Sequence, residues 1–424
     1  MRRKNNQDSI KSSVEQERED WERNGHMFIV ADGMGGHAVG ELASKIAVDT
    51  LPLTYKKLTS STNAEALREA MEQTNGTIYE RGNLNHDFNR MGTTCSALVL
   101  CPEGALIGHV GDSRIYRTRG DRIDQLTFDH SLQWEMLRRG QGTPEDIFMN
   151  QPKNVITRSM GPEPAVEVDI EGPYPVQPGD AFILCSDGLT NHVSDEEIGV
   201  AAAELSSTAA CRFLVNLANL RGGTDNISVS VIKVGAIPEG ATPSTVRRGS
   251  EENDELGGLW LGMAWIVAAF FCLGTILILT GYYGTGGGIV GGAVLAAGYL
   301  LKKWRESLPP APIEDRSHAT VLWRPYRTSP AKLTRRILDE VVRLQQRMEE
   351  VAQEEDWKYD RVGFERMSQK AHASLQARTH HIAFRYFAAA VQILMDGLKK
   401  QSQQKKLDSR IFRPEELAQQ EKNS

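Results

Sequence analysis

Phe28-Ile-Val-Ala-Asp32-Gly-Met-Gly-Gly-His37 is the stretch that decides the fold. Four apolar residues run into a carboxylate and then into a glycine-rich turn, which describes a buried strand ending in an open loop. Strand ends are rigid and the loops beside them are open, so site side chains commonly sit there. The same design recurs at Ile107-Gly-His-Val-Gly-Asp112 and at Phe182-Ile-Leu-Cys-Ser-Asp187. It appears reversed at Gly222-Gly-Thr-Asp225, just before the run Ile227–Val234. Singly, each is also a turn signal, because Asp begins turns well and Asp-Gly marks hairpins. Four in one region, each against a strand, point to a carboxylate cluster. Such a cluster repels itself and persists only beside compensating cations. Oxygen donors without a neighbouring Cys or His pair favour Mg2+ or Mn2+ over Zn2+. Two such ions sharing a water would lower its pKa and aim it at phosphorus. No Cys or Ser nucleophile motif supports a covalent route.

Around these strand ends, short apolar runs alternate with helical patterns. Strands are expected at Met27–Ala31, Thr94–Leu100, Ala105–Val110, Ile115–Arg119, Ala181–Cys185 and Ile227–Val234. Helices are expected at Ala43–Leu58, Ala64–Arg81, Leu132–Gly140 and Ala209–Leu220. Strands dominate both ends of residues 1–235, which reads as α+β rather than regular βαβ winding.

Beyond this region, positions 256–301 carry no charge. As one helix they would reach roughly 69 Å at about 1.5 Å per residue, twice a ~30 Å hydrocarbon core. Two membrane spans within 257–304, about Leu259–Thr280 and Ile289–Leu301, fit better, with the break at Gly281–Gly288; a buried helical hairpin is the alternative. Gly287/Gly291 and Gly288/Gly292 would let the two helices close. Arg247 and Arg248 on one side, with Lys302, Lys303 and Arg305 on the other, place both flanks in the cytosol. Residues 236–256 and 305–330 read as linkers, 331–400 as a helical tail, and 401–424 as a flexible terminus.

The 424 residues carry a net charge of −6, unevenly spread. Residues 1–301 hold 25 Lys and Arg against 38 Asp and Glu; residues 302–424 hold 24 against 17. The acidic front argues against nucleic-acid binding. The basic tail could face an anionic membrane or simply present solvated helix faces. Five scattered cysteines without a CxxC pair are neither a disulfide framework nor a zinc site.

The motifs, in order, are Arg3-Lys-Asn-Asn-Gln-Asp8-Ser, Asp32-Gly-Met-Gly-Gly-His37-Ala-Val-Gly-Glu41, Met91-Gly-Thr-Thr94, Gly111-Asp112-Ser-Arg114, Asp129-His-Ser131, Ser186-Asp187-Gly188 and Gly222-Gly-Thr-Asp225-Asn226. Over residues 3–234 this set resembles the metal-dependent protein serine/threonine phosphatases of the 2C type (PPM), in their bacterial branch. The resemblance implies two antiparallel β-sheets in a sandwich flanked by helices, a four-layer αββα fold. It also implies two Mn2+ or Mg2+ ions and a weaker third. Carried over, Asp32 would bridge the two core ions, the Gly33 carbonyl would bind one, and Asp187 and Asp225 would complete the other. Asp112 with Asp187 would hold the third. Arg3, Asp8 and Asp32 would be the catalytic set, with Arg3 gripping the substrate phosphate through its planar fork. Leu132–Gly161 would be the flap beside the site.

Three features depart from the family. Only two residues precede Arg3, so either translation starts upstream or one sheet edge is incomplete. Gln7 stands where many members have Glu. Met34 stands where animal relatives have a histidine proposed as general acid, so the leaving oxygen would be protonated by water or another group; His37 reads as structural. The implied substrates are phosphoproteins of cytosolic Ser/Thr kinase pathways. The alternative is a membrane-anchored pseudo-phosphatase that binds phosphoproteins without turnover.

In the tail, Leu333, Ile337, Val341, Leu344, Met348 and Val351 recur at spacings of four and three, one amphipathic helix. Ala371, Ala383, Phe387 and Ala390 match the small-small-aromatic-small positions of a tetratricopeptide repeat, though Met367, Ser374 and Met395 do not fit it. A plain helical hairpin that packs on itself or dimerises is the other reading. On either, Phe364, Phe384, Phe387 and Leu394 offer apolar surface for a protein partner or a second copy.

Overall fold

The computed structural model describes residues 5–35, 37–58, 62–84, 88, 90–153, 155–236, 267–307 and 325–420. Arg3, nearly all of the 236–256 linker and residues 259–266 of the first expected span lie outside them. The chain forms two units. One contains residues 1–58, 62–245 and 323–424; the other contains 59–61 and 246–322.

In the first unit the strands are β1 (Asp8–Ser13), β2 (His26–Met34), β3 (Gly92–Thr93), β4 (Cys95–Cys101), β5 (Gly104–Val110), β6 (Arg114–Arg119), β7 (Arg122–Gln125), β8 (Asp169–Tyr174), β9 (Ala181–Cys185), β10 (Val229–Lys233) and β11 (Arg327–Pro330). One sheet has the order β1-β2-β4-β5-β8, with β3 on β2; the other has β10-β9-β6-β7-β11. All pairings are antiparallel. The helices before the tail are α1 (Arg18–Asn24), α2 (His37–Lys57), α3 (Asn63–Asn83), α4 (Leu132–Arg138), α5 (Pro144–Asn150), α6 (Asp187–Thr190), α7 (Asp195–Glu204) and α8 (Ser207–Leu220).

β2 shows why the sandwich forms. Its side chains alternate, and both faces are apolar. Met27, Ile29 and Ala31 pack beneath α2 and α3 with Leu51, Leu67 and Met71. Phe28 and Val30 face the second sheet, meeting Ile115, Phe182 and Leu184. A strand buried on both faces reads as a continuous apolar run, as Phe28–Ala31 does. Each fully buried side chain of this size contributes roughly 1.5–3 kcal/mol. α3 starts on a reciprocal capping box between Thr62 and Glu65, and α7 on one between Ser194 and Glu197.

The outer face of the second sheet carries α7 and α8, and the tail covers these in turn. α11 (Arg335–Glu354), α12 (Arg361–Gln376) and α13 (His380–Gln420) form this layer. Ile337, Leu338, Val341, Phe384 and Phe387 share one core with Phe213, Leu214 and Leu217 of α8. Phe384 meets Phe213 edge-on, with ring centroids 5.6 Å apart. The apolar face expected to need a partner is therefore covered by the same chain. Ala371, Ala383, Phe387 and Ala390 are all fully buried. Residues 327–330, expected inside a linker, instead form β11, which extends the second sheet beyond β7. The helix expected to end near residue 400 continues to Gln420.

The second unit contains α9, described over residues 267–279, and α10 (Tyr283–Ser307). It overturns the expected two-span membrane hairpin and, with it, the multi-pass membrane location: among the described residues no helix is long and apolar enough to cross a membrane. An uncharged sequence is not the same as an apolar one. α10 opens on Tyr283-Gly-Thr-Gly-Gly-Gly288 and ends with Lys302, Lys303, Arg305 and Glu306, so its apolar stretch is short. The glycines that let α9 and α10 close are also not the expected ones. A Cβ on Gly274 would lie 3.1 Å from the Gly286 carbonyl oxygen, whereas Gly287, Gly288, Gly291 and Gly292 have open space.

Candidate metal centre

Five strand ends bring five carboxylates together. Asp8 lies opposite Asp32 in the β1–β2 ladder. Asp187 is the first residue of α6, directly after β9, and Asp112 follows β5. Asp225 precedes β10. Two backbone approaches hold these segments close. A Cβ on Gly33 would lie 2.0 Å from the Gly40 carbonyl oxygen, so β2 and the start of α2 touch main chain to main chain. A Cβ on Gly188 would lie 1.9 Å from the Asn226 carbonyl oxygen, which sets the α6 turn on the Asp225 loop. Only glycine fits either place.

Hydrogen bonds fasten four of these five segments. The Asp32 N–H donates to Thr94 Oγ1 at 2.8 Å. Ser186 Oγ donates to Asp8 Oδ2 at 2.8 Å. Asn191 Nδ2 donates to Asp187 Oδ2 at 3.2 Å, and the Asn226 N–H donates to Asp225 Oδ1 at 2.8 Å. Asn226 also ties in the first strand. Its Oδ1 accepts from the Gln7 N–H at 3.0 Å, and its Nδ2 donates to the Asn5 carbonyl at 3.0 Å. The sequence reading noted Thr94, Ser186 and Asn226 only as motif members. Short hydroxyl and amide side chains beside each Asp were the available signal for this fastening role. Behind the centre, Arg114 grips buried Asp129 through Nε at 2.9 Å and Nη2 at 2.6 Å. His37 begins α2, and Met34 ends β2.

The acids destabilise one another's charge. Burial, then Asp8, Asp187, Asp112 and Asp225, hold the Asp32 carboxyl well above its ordinary range. Burial raises Asp8, with a smaller push from Asp225. Burial, with Asp187 and Asp129, pushes Asp112 up to about 8. Burial, with Asp225 and Asp8, pushes Asp187 up to about 6. For both groups the folded pKa exceeds the unfolded one. Between the two values the folded state binds more protons, so stability falls as pH rises. In chelator, the melting temperature is expected to drop from about pH 5 to about pH 8, and Asp112→Asn should flatten the slope. A melting temperature that climbs through that window in chelator would contradict the clustering.

Whether divalent cations fit here is decided by the donors. Asp8 Oδ1 and Asp187 Oδ1 are buried without a hydrogen-bond partner, and a buried carboxylate oxygen left so is costly. The five acids, with the Gly33 carbonyl in the same turn, make an all-oxygen set suited to Mg2+ or Mn2+. Among the described residues no three His, Cys, Asp or Glu side chains stand grouped as a ready metal site. The fit rests on the orphaned oxygens and the donor chemistry, and both favour a hard divalent ion.

The chain is similar to known proteins over its first half. The family described as protein phosphatase 2C matches residues 2–219. Protein phosphatase PhpP of Streptococcus pneumoniae is 36% identical over 239 residues, 55% of this chain and 94% of its own length. The serine/threonine phosphatase stp of Listeria monocytogenes is 40% identical over 214 residues, 49% of this chain and 84% of its own. Among solved structures, the catalytic domain of the phosphatase PstP in complex with two manganese ions is 30% identical. It covers 56% of this chain and 94% of that one, with a TM-score of 0.46.

Proposed function

The chain belongs to the protein phosphatase 2C family and is a serine/threonine phosphatase of that type; from this premise we propose that it hydrolyses phosphoserine and phosphothreonine in proteins at a centre of two Mn2+ or Mg2+ ions, within residues 1–235. The observation that carries the reading is the set of carboxylates delivered by separate strand ends, among which Asp32, Asp112 and Asp187 are held above their ordinary range by burial and by neighbouring acids. A fold keeps such repulsion when function needs it.

In this reading Asp32 and the Gly33 carbonyl would hold the core ions with Asp187 and Asp225, and Asp112 with Asp187 would hold a weaker third. When bound, the ions supply a water of lowered pKa and offset the negative charge of the phosphoryl group. The chain's own residues do the placing. Asp8, held by Ser186, backs Asp32 across the ladder, while Thr94 fixes the Asp32 main chain. Arg3 is assigned to the substrate phosphate, where a planar guanidinium suits two oxygens.

The test strips the protein with chelator, restores Mn2+ or Mg2+, and follows hydrolysis of p-nitrophenyl phosphate and of phosphoserine and phosphothreonine peptides. Activity is expected only with divalent ion. Activity that resists chelator would overturn the metal centre. Phosphopeptide binding without turnover in saturating Mn2+ would make the chain a binding module instead.

A further inference from the structure

Beside the carboxylates lies a pocket of about 700 Å3 that takes in Asp112 and Asp187 at one end. Its other walls come from three places. Trp134 stands on α4, Phe148 on α5, and Tyr326 reaches in from the C-terminal segment. The sequence between the sandwich and the tail gave no hint of this, because residue 326 lies far along the chain from every other lining residue except Arg327.

Strand addition delivers Tyr326. Its N–H donates to the Gln125 carbonyl at 2.9 Å, and Arg327–Pro330 then pairs with β7. Arg327 Nε meets Asp195 at 3.2 Å, and Thr328 Oγ1 donates to Asp124 at 2.8 Å. The Tyr326 hydroxyl is bonded to Glu171. Its ring lies 5.5 Å from that of Phe128, which meets Trp134 edge-on at 5.3 Å. The row Tyr326, Phe128, Trp134 is thus built from two distant segments of the chain. Tyr326 is still 41% exposed, and Phe148 across the pocket 37%.

We propose that this pocket selects phosphopeptides carrying a large apolar side chain next to the phosphorylated residue, with Tyr326 as a specificity-determining residue supplied by the tail. This deepens the phosphatase reading above and rests on it. Continuity with Asp112 and Asp187 makes the occupant a neighbour of the phosphate being cleaved. Charge settles its chemistry. Two of the three cations that line the pocket are paired, Arg114 with Asp129 and Arg327 with Asp195. The third, Lys153, is exposed. An acidic side chain would meet Asp195 and Asp129 with their cations already engaged, whereas an apolar one meets aromatic faces.

The test uses the full-length protein in Mn2+ and two phosphothreonine peptides that differ only in Leu or Ser beside the phosphothreonine. Wild type is expected to prefer the Leu peptide by about tenfold or more in kcat/KM, the scale for a few methylenes in an apolar pocket. Tyr326→Ala should reduce that ratio to within about threefold of unity through KM, while p-nitrophenyl phosphate turnover changes less than about twofold. Tyr326→Phe keeps the ring and should keep the preference. Should Tyr326→Ala fail to fold, Phe148→Ala on the exposed facing wall must lower the ratio in its place. Equal use of both peptides by wild type, or a ratio untouched by these Ala variants, overturns the proposal. Absence of any phosphopeptide turnover by wild type would instead strike the phosphatase reading itself.

Discussion

Asp187→Asn is expected to lower turnover by about 10^3-fold or more, on p-nitrophenyl phosphate and phosphopeptides alike. A lost ligand forfeits several kcal/mol of charge stabilisation, and each ~1.4 kcal/mol is a factor of ten. The variant should not unfold. Burial, Asp225 and Asp8 hold the Asp187 carboxyl above its ordinary range, so its negative charge opposes folding when no cation is bound. A neutral amide of the same shape removes that charge. The melting temperature in chelator should therefore stay level or rise, while the upward shift given by Mn2+ in wild type shrinks. Circular dichroism and thermal melts with and without Mn2+ read both. Turnover within tenfold of wild type would remove Asp187 from the centre, and a collapse of the fold in chelator would make its role structural.

The second large effect lies far from the carboxylates. Phe384 on α13 is 1% exposed and packs on Phe213 of α8. Phe384→Ala should cost about 3–5 kcal/mol, the usual loss for a buried aromatic cut to a methyl. Urea unfolding, followed by tryptophan fluorescence, should show one earlier transition for sandwich and tail together. The reason is that Ile337, Leu338, Val341, Phe384 and Phe387 belong to the same core as α7 and α8. Two separate transitions, with the sandwich unmoved, would mean that the tail stands alone. Ion pairs along the seam, such as Arg221 to Glu340 at 4.0 Å, are partly exposed and add little.

These two predictions draw on different depths of information. The first was legible in Phe28–His37 and its three counterparts. An apolar run ending in Asp is a local statement, and the chemistry of carboxylates does not depend on where the chain goes next. β2, β4, β5, β6, β9 and β10 were legible for the same reason, since buried strands must be apolar. β1, β7, β8 and β11 were not. Asp8-Ser-Ile-Lys-Ser-Ser13 and Arg327-Thr-Ser-Pro330 are polar, and each pairs with a single neighbour. Their place in a sheet comes from the open backbone groups of that neighbour, about which their side chains say nothing. The run 256–301 misled in the opposite direction, because its lack of charge concealed how many glycines it holds.

Periodicity along a chain states what each segment has to bury, and that much was written in order from Arg3 to Lys400. It named the acids, the apolar strands of the sandwich and the amphipathic tail helices. What each surface is buried against is written nowhere locally, because it depends on complementarity between segments hundreds of residues apart. Only the packing of the tail on the sandwich covers α8 with Phe384, lays residues 327–330 along β7 and brings Tyr326 to the pocket beside Asp112 and Asp187. The convergence of the acids had the same origin. It required Gly33 and Gly188 to admit backbone at distances that no other residue allows.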